Sequence, residues 1–108
     1  MQVKLKTRWL PEDVYEVRLR GSYVDGSPAF ILERNGEPWM QFTIYLAGEH
    51  LNPGHIFIKD YGENEGIIEA LAEAGLIEPV GRVAVGYTSI ARARMLEPLV
   101  NLCRAKEE

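Results

Sequence analysis

The sequence predicts an α+β fold. It expects a mainly antiparallel sheet of five or six strands, one amphipathic helix (about 64–75) packed on one face, and a short C-terminal helix. Three observations carry this reading. Apolar and charged residues alternate with period two at the start, where Val3 and Leu5, then Tyr15, Val17 and Leu19, oppose charged neighbours. Asn35-Gly36 lies between two strand-like runs, and both central residues of a type I′ turn need positive φ, which Asn and Gly adopt at low cost. Ile67, Ile68, Leu71 and Ala74 or Ala72 then switch to i, i+3/i+4 spacing, with Gly75 at the end as a left-handed cap.

Each element follows from local chemistry. Residues 2–9 and 14–20 read as two strands broken at Pro11-Glu12-Asp13 and paired as a hairpin, and Gly21 and Asp25-Gly26 mark turns. Around Asn35-Gly36 the two-residue turn sets Arg34 opposite Glu37, Glu33 opposite Pro38, Leu32 opposite Trp39 and Ile31 opposite Met40. Pro38 lacks a ladder donor, so that strand is expected at a sheet edge. Residues 47–54 are rich in Gly, Asn and Pro and form a loop, and His55–Lys59 is a short strand. Asn64 is the expected N-cap of the following helix, with Asp60, Glu63 and Glu65 at its positive dipole end. Pro79 closes the connection and residues 81–87 return as a strand. Residues 88–96 fit a helix capped by Ser89 or an alternating strand, and extended structure is favoured. Glu97-Pro98 then opens the terminal helix, with Leu99, Leu102 and Cys103 on one side.

Composition sets limits on function. The chain has 108 residues, 46% apolar and 26% charged, with a formal charge of −4. This is the profile of a globular protein of one domain, 1–108, with no linker or repeat. Direct nucleic-acid binding is not expected from an acidic chain, because phosphate neutralisation needs clustered Lys and Arg. A single cysteine, Cys103, fits a reducing compartment, and no segment reaches the ~20 apolar residues that span a bilayer. A cytoplasmic protein without membrane contact is expected.

The chemistry-bearing residues show few patterns. His50 and His55 lie five apart in a Gly/Pro loop near Glu49, without the spacing of a zinc site, and read as structural or solvent-exposed. Ser22, Ser27, Ser89 and Cys103 sit in no nucleophile motif. No phosphate-cradling Gly-rich loop is present, and no metal or cofactor is expected. Asp60, Glu63 and Glu65 lack calcium-loop spacing and read first as helix-start electrostatics. Tyr23, Trp39, Tyr45, Tyr61 and Tyr87 read as core and sheet-face residues. The clearest surface feature is acidic: Glu65, Glu69 and Glu73 fall at i, i+4 and i+8, and no Lys or Arg lies between residues 60 and 81. Lys4, Lys6, Arg8, Arg18, Arg20, Arg92 and Arg94 form the basic counterpart. The acidic stripe is either a solvated outer face or a docking surface for a basic partner.

The run Ile58-Lys59-Asp60-Tyr61-Gly62-Glu63-Asn64-Glu65-Gly66, followed by Ile68-Glu69-Ala70-Leu71, Glu73-Ala74-Gly75, Ile77-Glu78-Pro79 and Gly81-Arg82, resembles a family of small uncharacterised proteins of phages, plasmids and integrative elements. Its signature is Ile-Lys-Asp-Tyr-Ser-Glu-Asn-Glu-Gly, and Gly62 stands where the family has Ser. The match covers residues 56–82. The resemblance implies an accessory protein of a mobile element, of the kind that inhibits host machinery or defence systems such as CRISPR. It supplies no catalytic residues. The expected function is therefore a non-enzymatic binding protein that meets a basic protein partner through Asp60, Glu63, Glu65, Glu69 and Glu73. Two further readings are a small hydrolase or metal-dependent enzyme using His50, His55 and nearby carboxylates, and a homodimeric accessory module joined at a sheet edge.

Overall fold

A computed structural model describes residues 1–107. It shows an α+β architecture of eight strands in two four-stranded antiparallel sheets, with two helices. The first sheet holds β1 (Gln2–Leu5), β2 (Asp13–Ser22), β3 (Pro28–Arg34) and β4 (Glu37–Gln41), in the order β1-β2-β3-β4. The second holds β5 (Thr43–Ile44), β6 (His55–Ile58), β7 (Ile77–Val85) and β8 (Thr88–Met95), in the order β5-β6-β8-β7. Two sheets therefore replace the single sheet expected. The cause is the short break at Phe42 between β4 and β5, which lets one chain direction serve two ladders. Phe42 N still reaches Phe30 O in the first sheet, while Phe42 O accepts from Lys59 N beside the second.

The inner faces of both sheets share one core. Tyr15, Val17, Phe30, Leu32 and Met40 come from the first sheet, and Ile56, Ile58, Ala91, Ala93 and Met95 from the second. Residues 88–95 are extended, as their alternation favoured. Their small inward residues, Ala91 and Ala93, leave room for the opposite sheet.

The Asn35-Gly36 turn forms with φ of 54° and 81°. Arg34 pairs with Glu37 and Glu33 with Pro38, as the turn dictates. Beyond that the register shifts: Leu32 meets Met40 and Ile31 meets Gln41, so Trp39 has no residue opposite it. This β-bulge corrects the expected Leu32–Trp39 and Ile31–Met40 pairs. It keeps Met40 on the core face, where it is 8% exposed, and turns Trp39 outward at 46%. β4 is the sheet edge that Pro38 requires.

The main helix, α1 (Ile67–Glu73), is shorter than expected. Gly66, at φ 89°, occupies its N-cap position, not Asn64. Ile67, Ala70 and Leu71 enter the core; burying the two large side chains contributes about 3–6 kcal/mol. Its C-terminus closes as a Schellman motif: Leu76 N donates to Leu71 O and Gly75 N to Ala72 O, both at 3.0 Å, around Gly75 at φ 78°. α1 packs against β7 and lines a shallow groove together with residues of β1. Pro79 falls inside β7, an edge strand, next to a bulge between Pro79 and Gly81. It therefore does not end the connection as expected. The terminal helix α2 (Glu97–Glu107) is the longer of the two helices and buries Leu99 completely, with Leu102 and Cys103 packed at the core margin.

Candidate functional site

The acidic stretch begins where β6 ends. Lys59 and Asp60 leave the sheet, and residues Gly62–Asn64 make one turn of 3₁₀ helix before α1 starts. Asn64 holds this corner. It is 2% exposed, and its side-chain amide donates to Gln41 O and to Lys59 O, both at 2.9 Å. One side chain thus ties the loop to the edge of the first sheet and to the exit of the second. That is a different task from the helix cap expected of it.

The corner divides the predicted acidic set. Asp60 is committed internally: Arg82 Nη1 donates to its Oδ2 at 2.8 Å and Nη2 to its Oδ1 at 3.3 Å. Arg82 also donates from Nε to Ser89 Oγ at 2.7 Å, and the Asp60 hydrogen bond pushes the Arg82 pKa upward. Glu78, the other flank of the stretch, lies 3.2 Å from Arg94 Nε across β7 and β8. Glu65 precedes α1 and does not sit on it; it is 4.0 Å from Arg8. Glu63, Glu69 and Glu73 are exposed and make no ion pair among the described residues.

The acidic and basic regions are neighbours. Lys4 and Lys6 on and after β1 share a shallow groove with Glu73 and Glu12, and Lys4 pairs with Glu12 at 3.4 Å. Of the predicted acidic set, the exposed carboxylates without ion pairs among the described residues are thus Glu63 before α1 and Glu69 and Glu73 on it, with Glu73 beside Lys4 and Lys6.

The histidines lie elsewhere. His50 and His55 line a cavity of about 630 Å³ whose walls include Asp25, Ser27, Asn52 and Cys103. His50 Nε2 is 3.0 Å from Asn52 Oδ1, and His55 Nδ1 is buried without a hydrogen-bond partner. Asp25 Oδ1 accepts from Ser27 N and Oγ, which stabilises the turn and does not orient an imidazole. Neither histidine hydrogen-bonds to a carboxylate or hydroxyl among the described residues, so no histidine–carboxylate pair is assembled. Among the described residues, no group of three or more His, Cys, Asp or Glu could hold a metal ion, and no helix is long and apolar enough to cross a membrane.

Among the five aromatic residues expected in the core or on sheet faces, Tyr87 is fully exposed and Tyr61 half-exposed, both outside the strands, and Trp39 lies on β4 but is also half-exposed. Trp39 and Tyr61 flank a groove of about 450 Å³ that also contains Gln41, Lys59, Glu63 and Asn64. The Arg34 guanidinium lies 5.3 Å from the Trp39 ring centre, and Lys59 Nζ lies 5.6 Å from that of Tyr61. A sequence signal for Trp39 exists in hindsight: it follows Pro38 on an edge strand, where bulges are frequent. Nothing local marks Tyr61.

The fold and this surface define a small α+β protein with two sheets on one core and an acidic corner beside an aromatic groove. No protein family, curated protein or solved structure matches the chain.

Proposed function

We propose that the protein is a non-enzymatic binding protein whose α1 side docks onto a basic protein surface. The observation that carries this reading is the division of the carboxylates. Asp60 and Glu78 are paired within the fold, while Glu63, Glu69 and Glu73 stand exposed without ion pairs among the described residues. Carboxylates left in this state raise the rate of encounter with a cationic surface and choose its orientation. Glu65, only loosely paired with Arg8, extends the contact. The resemblance of residues 56–82 to a mobile-element family supplies a context in which the partner belongs to host machinery or to a defence system such as CRISPR.

The other two readings draw less support. Neither cavity histidine hydrogen-bonds to an acid among the described residues, and two of the four edge strands, β4 and β7, carry Pro38, Pro79 and bulges that discourage edge-to-edge pairing of two copies. The test is affinity capture from the host with the wild type and Glu69→Lys/Glu73→Lys across an ionic-strength series. A specific basic partner should be retained by the wild type, released as salt rises, and lost roughly tenfold with the charge reversal. Capture that is indifferent to both changes would defeat the proposal.

A further inference from the structure

The aromatic walls of the groove between Trp39 and Tyr61 present hydrogen-bond donors, while the Glu63 carboxylate in its lining is an acceptor. The Trp39 indole N–H and the Lys59 ammonium can only donate, and the Tyr61 hydroxyl is free to donate. None of the three hydrogen-bonds to protein among the described residues. Their rings and alkyl stem also provide apolar walls for a cleft of about 450 Å³. A ligand that fits is rich in acceptors, poor in N–H donors and apolar along its sides. A polyproline-II segment has this character, since its prolines carry carbonyls but no N–H, and its rings pack between aromatic walls.

The walls are held in place. Arg34 lies over Trp39 while its Nε donates to Asp13 Oδ2 at 2.7 Å, and the Tyr15 ring stands 6.5 Å from the indole. The β-bulge turns Trp39 outward, and Lys59 lies over Tyr61. Less side-chain freedom therefore remains to be lost on binding. Addition of the ligand as a further β-strand is disfavoured along this edge. Pro38 has no N–H, and Gln41 O already accepts from Asn64. Glu63 lines the groove, so a basic residue flanking the prolines finds a carboxylate there.

We propose that the groove between Trp39 and Tyr61 binds a proline-rich, polyproline-II segment of the protein partner, with a basic flank directed toward Glu63. The choice of a basic flank rests on the acidic-docking reading above; the proline segment rests on the groove alone.

The experiment titrates the full chain with three synthetic peptides: hexaproline preceded by two arginines, hexaproline preceded by two glutamates, and a hexameric Gly-Ser repeat preceded by two arginines. The readout is the indole N–H resonance of Trp39, with that of Trp9 as the internal control. The arginine–hexaproline peptide should shift Trp39 and leave Trp9 in place. Its affinity, read by titration calorimetry in the variants because Trp39→Phe removes the reporting indole, should fall roughly tenfold in Tyr61→Ala and in Trp39→Phe, which keeps an aromatic wall but removes the donor. The glutamate peptide should bind more weakly, and Glu63→Gln should erase that difference. If the Gly-Ser peptide binds as well as the proline peptide, the groove inference is overturned while acidic docking stands. If both hexaproline peptides bind equally well to the wild type, the groove stands and the basic flank is overturned, as is acidic docking at this point. If no peptide moves Trp39, or if Trp9 moves equally, the groove inference fails outright.

Discussion

Asn64→Asp separates the role seen in the structure from the role its position suggests. As a helix N-cap, Asp is as good as Asn, and the change would be close to neutral. In the structure the Asn64 amide donates to two backbone carbonyls at 2.9 Å each, in a site 2% exposed. A carboxylate there would donate nothing and would face two acceptors. Removing the amide altogether, in Asn64→Ala, leaves both carbonyls without that donor. With each lost bond and its desolvated partner counted together, this costs about 2–4 kcal/mol. For a chain of this size the midpoint of thermal unfolding falls by about 10–20 °C.

Asn64→Asp should cost at least as much at neutral pH, and the cost should depend on pH. Burial and two facing carbonyls raise the introduced carboxyl's pKa in the folded chain above its unfolded value of about 3.9. The defect is then smallest below about pH 4, where the protonated acid can donate one bond. It grows as pH rises toward and through the raised value. Urea unfolding of the wild type, Asn64→Ala and Asn64→Asp at acidic and neutral pH measures this. An Asp variant of wild-type stability at neutral pH would refute the bridge and restore the cap.

Two other perturbations follow from particular contacts. Gly75→Ala forces a side chain into a left-handed residue at φ 78° inside the Schellman motif, and should cost about 1 kcal/mol in urea unfolding without changing the fold. The pH profile of stability should bend at both ends. The Val14 N–H, with help from Arg34, holds the Asp13 carboxyl below its ordinary pKa, so its contribution is present above the unfolded value near pH 4 and is lost as pH falls through the folded one. Burial pushes the Tyr15 phenol upward, so its contribution is intact below about pH 10 and is lost as pH rises toward the folded value. Asp13→Asn should flatten the acid limb and Tyr15→Phe the alkaline limb, read by denaturant midpoints across pH.

The legible part of the fold was the part made by neighbours in sequence. Asn35-Gly36 requires two positive φ angles, and that alone sets Arg34 against Glu37 and Glu33 against Pro38. Gly75 after an apolar stripe specifies its own cap, because the two carbonyls that Gly75 N and Leu76 N satisfy lie within the preceding turn. The pattern of residues 88–96 fits a capped helix and an alternating strand alike, and the strand, the favoured reading, is present over 88–95. The acidic stripe was legible as composition, but its members do not share one state: Asp60 is taken by Arg82, 22 positions away, and Glu65 lies off the helix.

What the chain alone determined was therefore the set of turns, the periods of the strands and helix, and the preference for antiparallel pairing. Backbone dihedral preference and side-chain period act over a few residues, so they can be read without knowing the fold. Tertiary structure decided the split into two sheets at Phe42, the bulge that exposes Trp39, and the bridging role of Asn64. It also decided which carboxylates remain unpaired. Each of these is settled by where a buried polar group or a large side chain finds its partner, and those partners are distant in sequence. Asn64 sits one residue before the acidic run resumes, yet its two acceptors are supplied by β4 and by the end of β6.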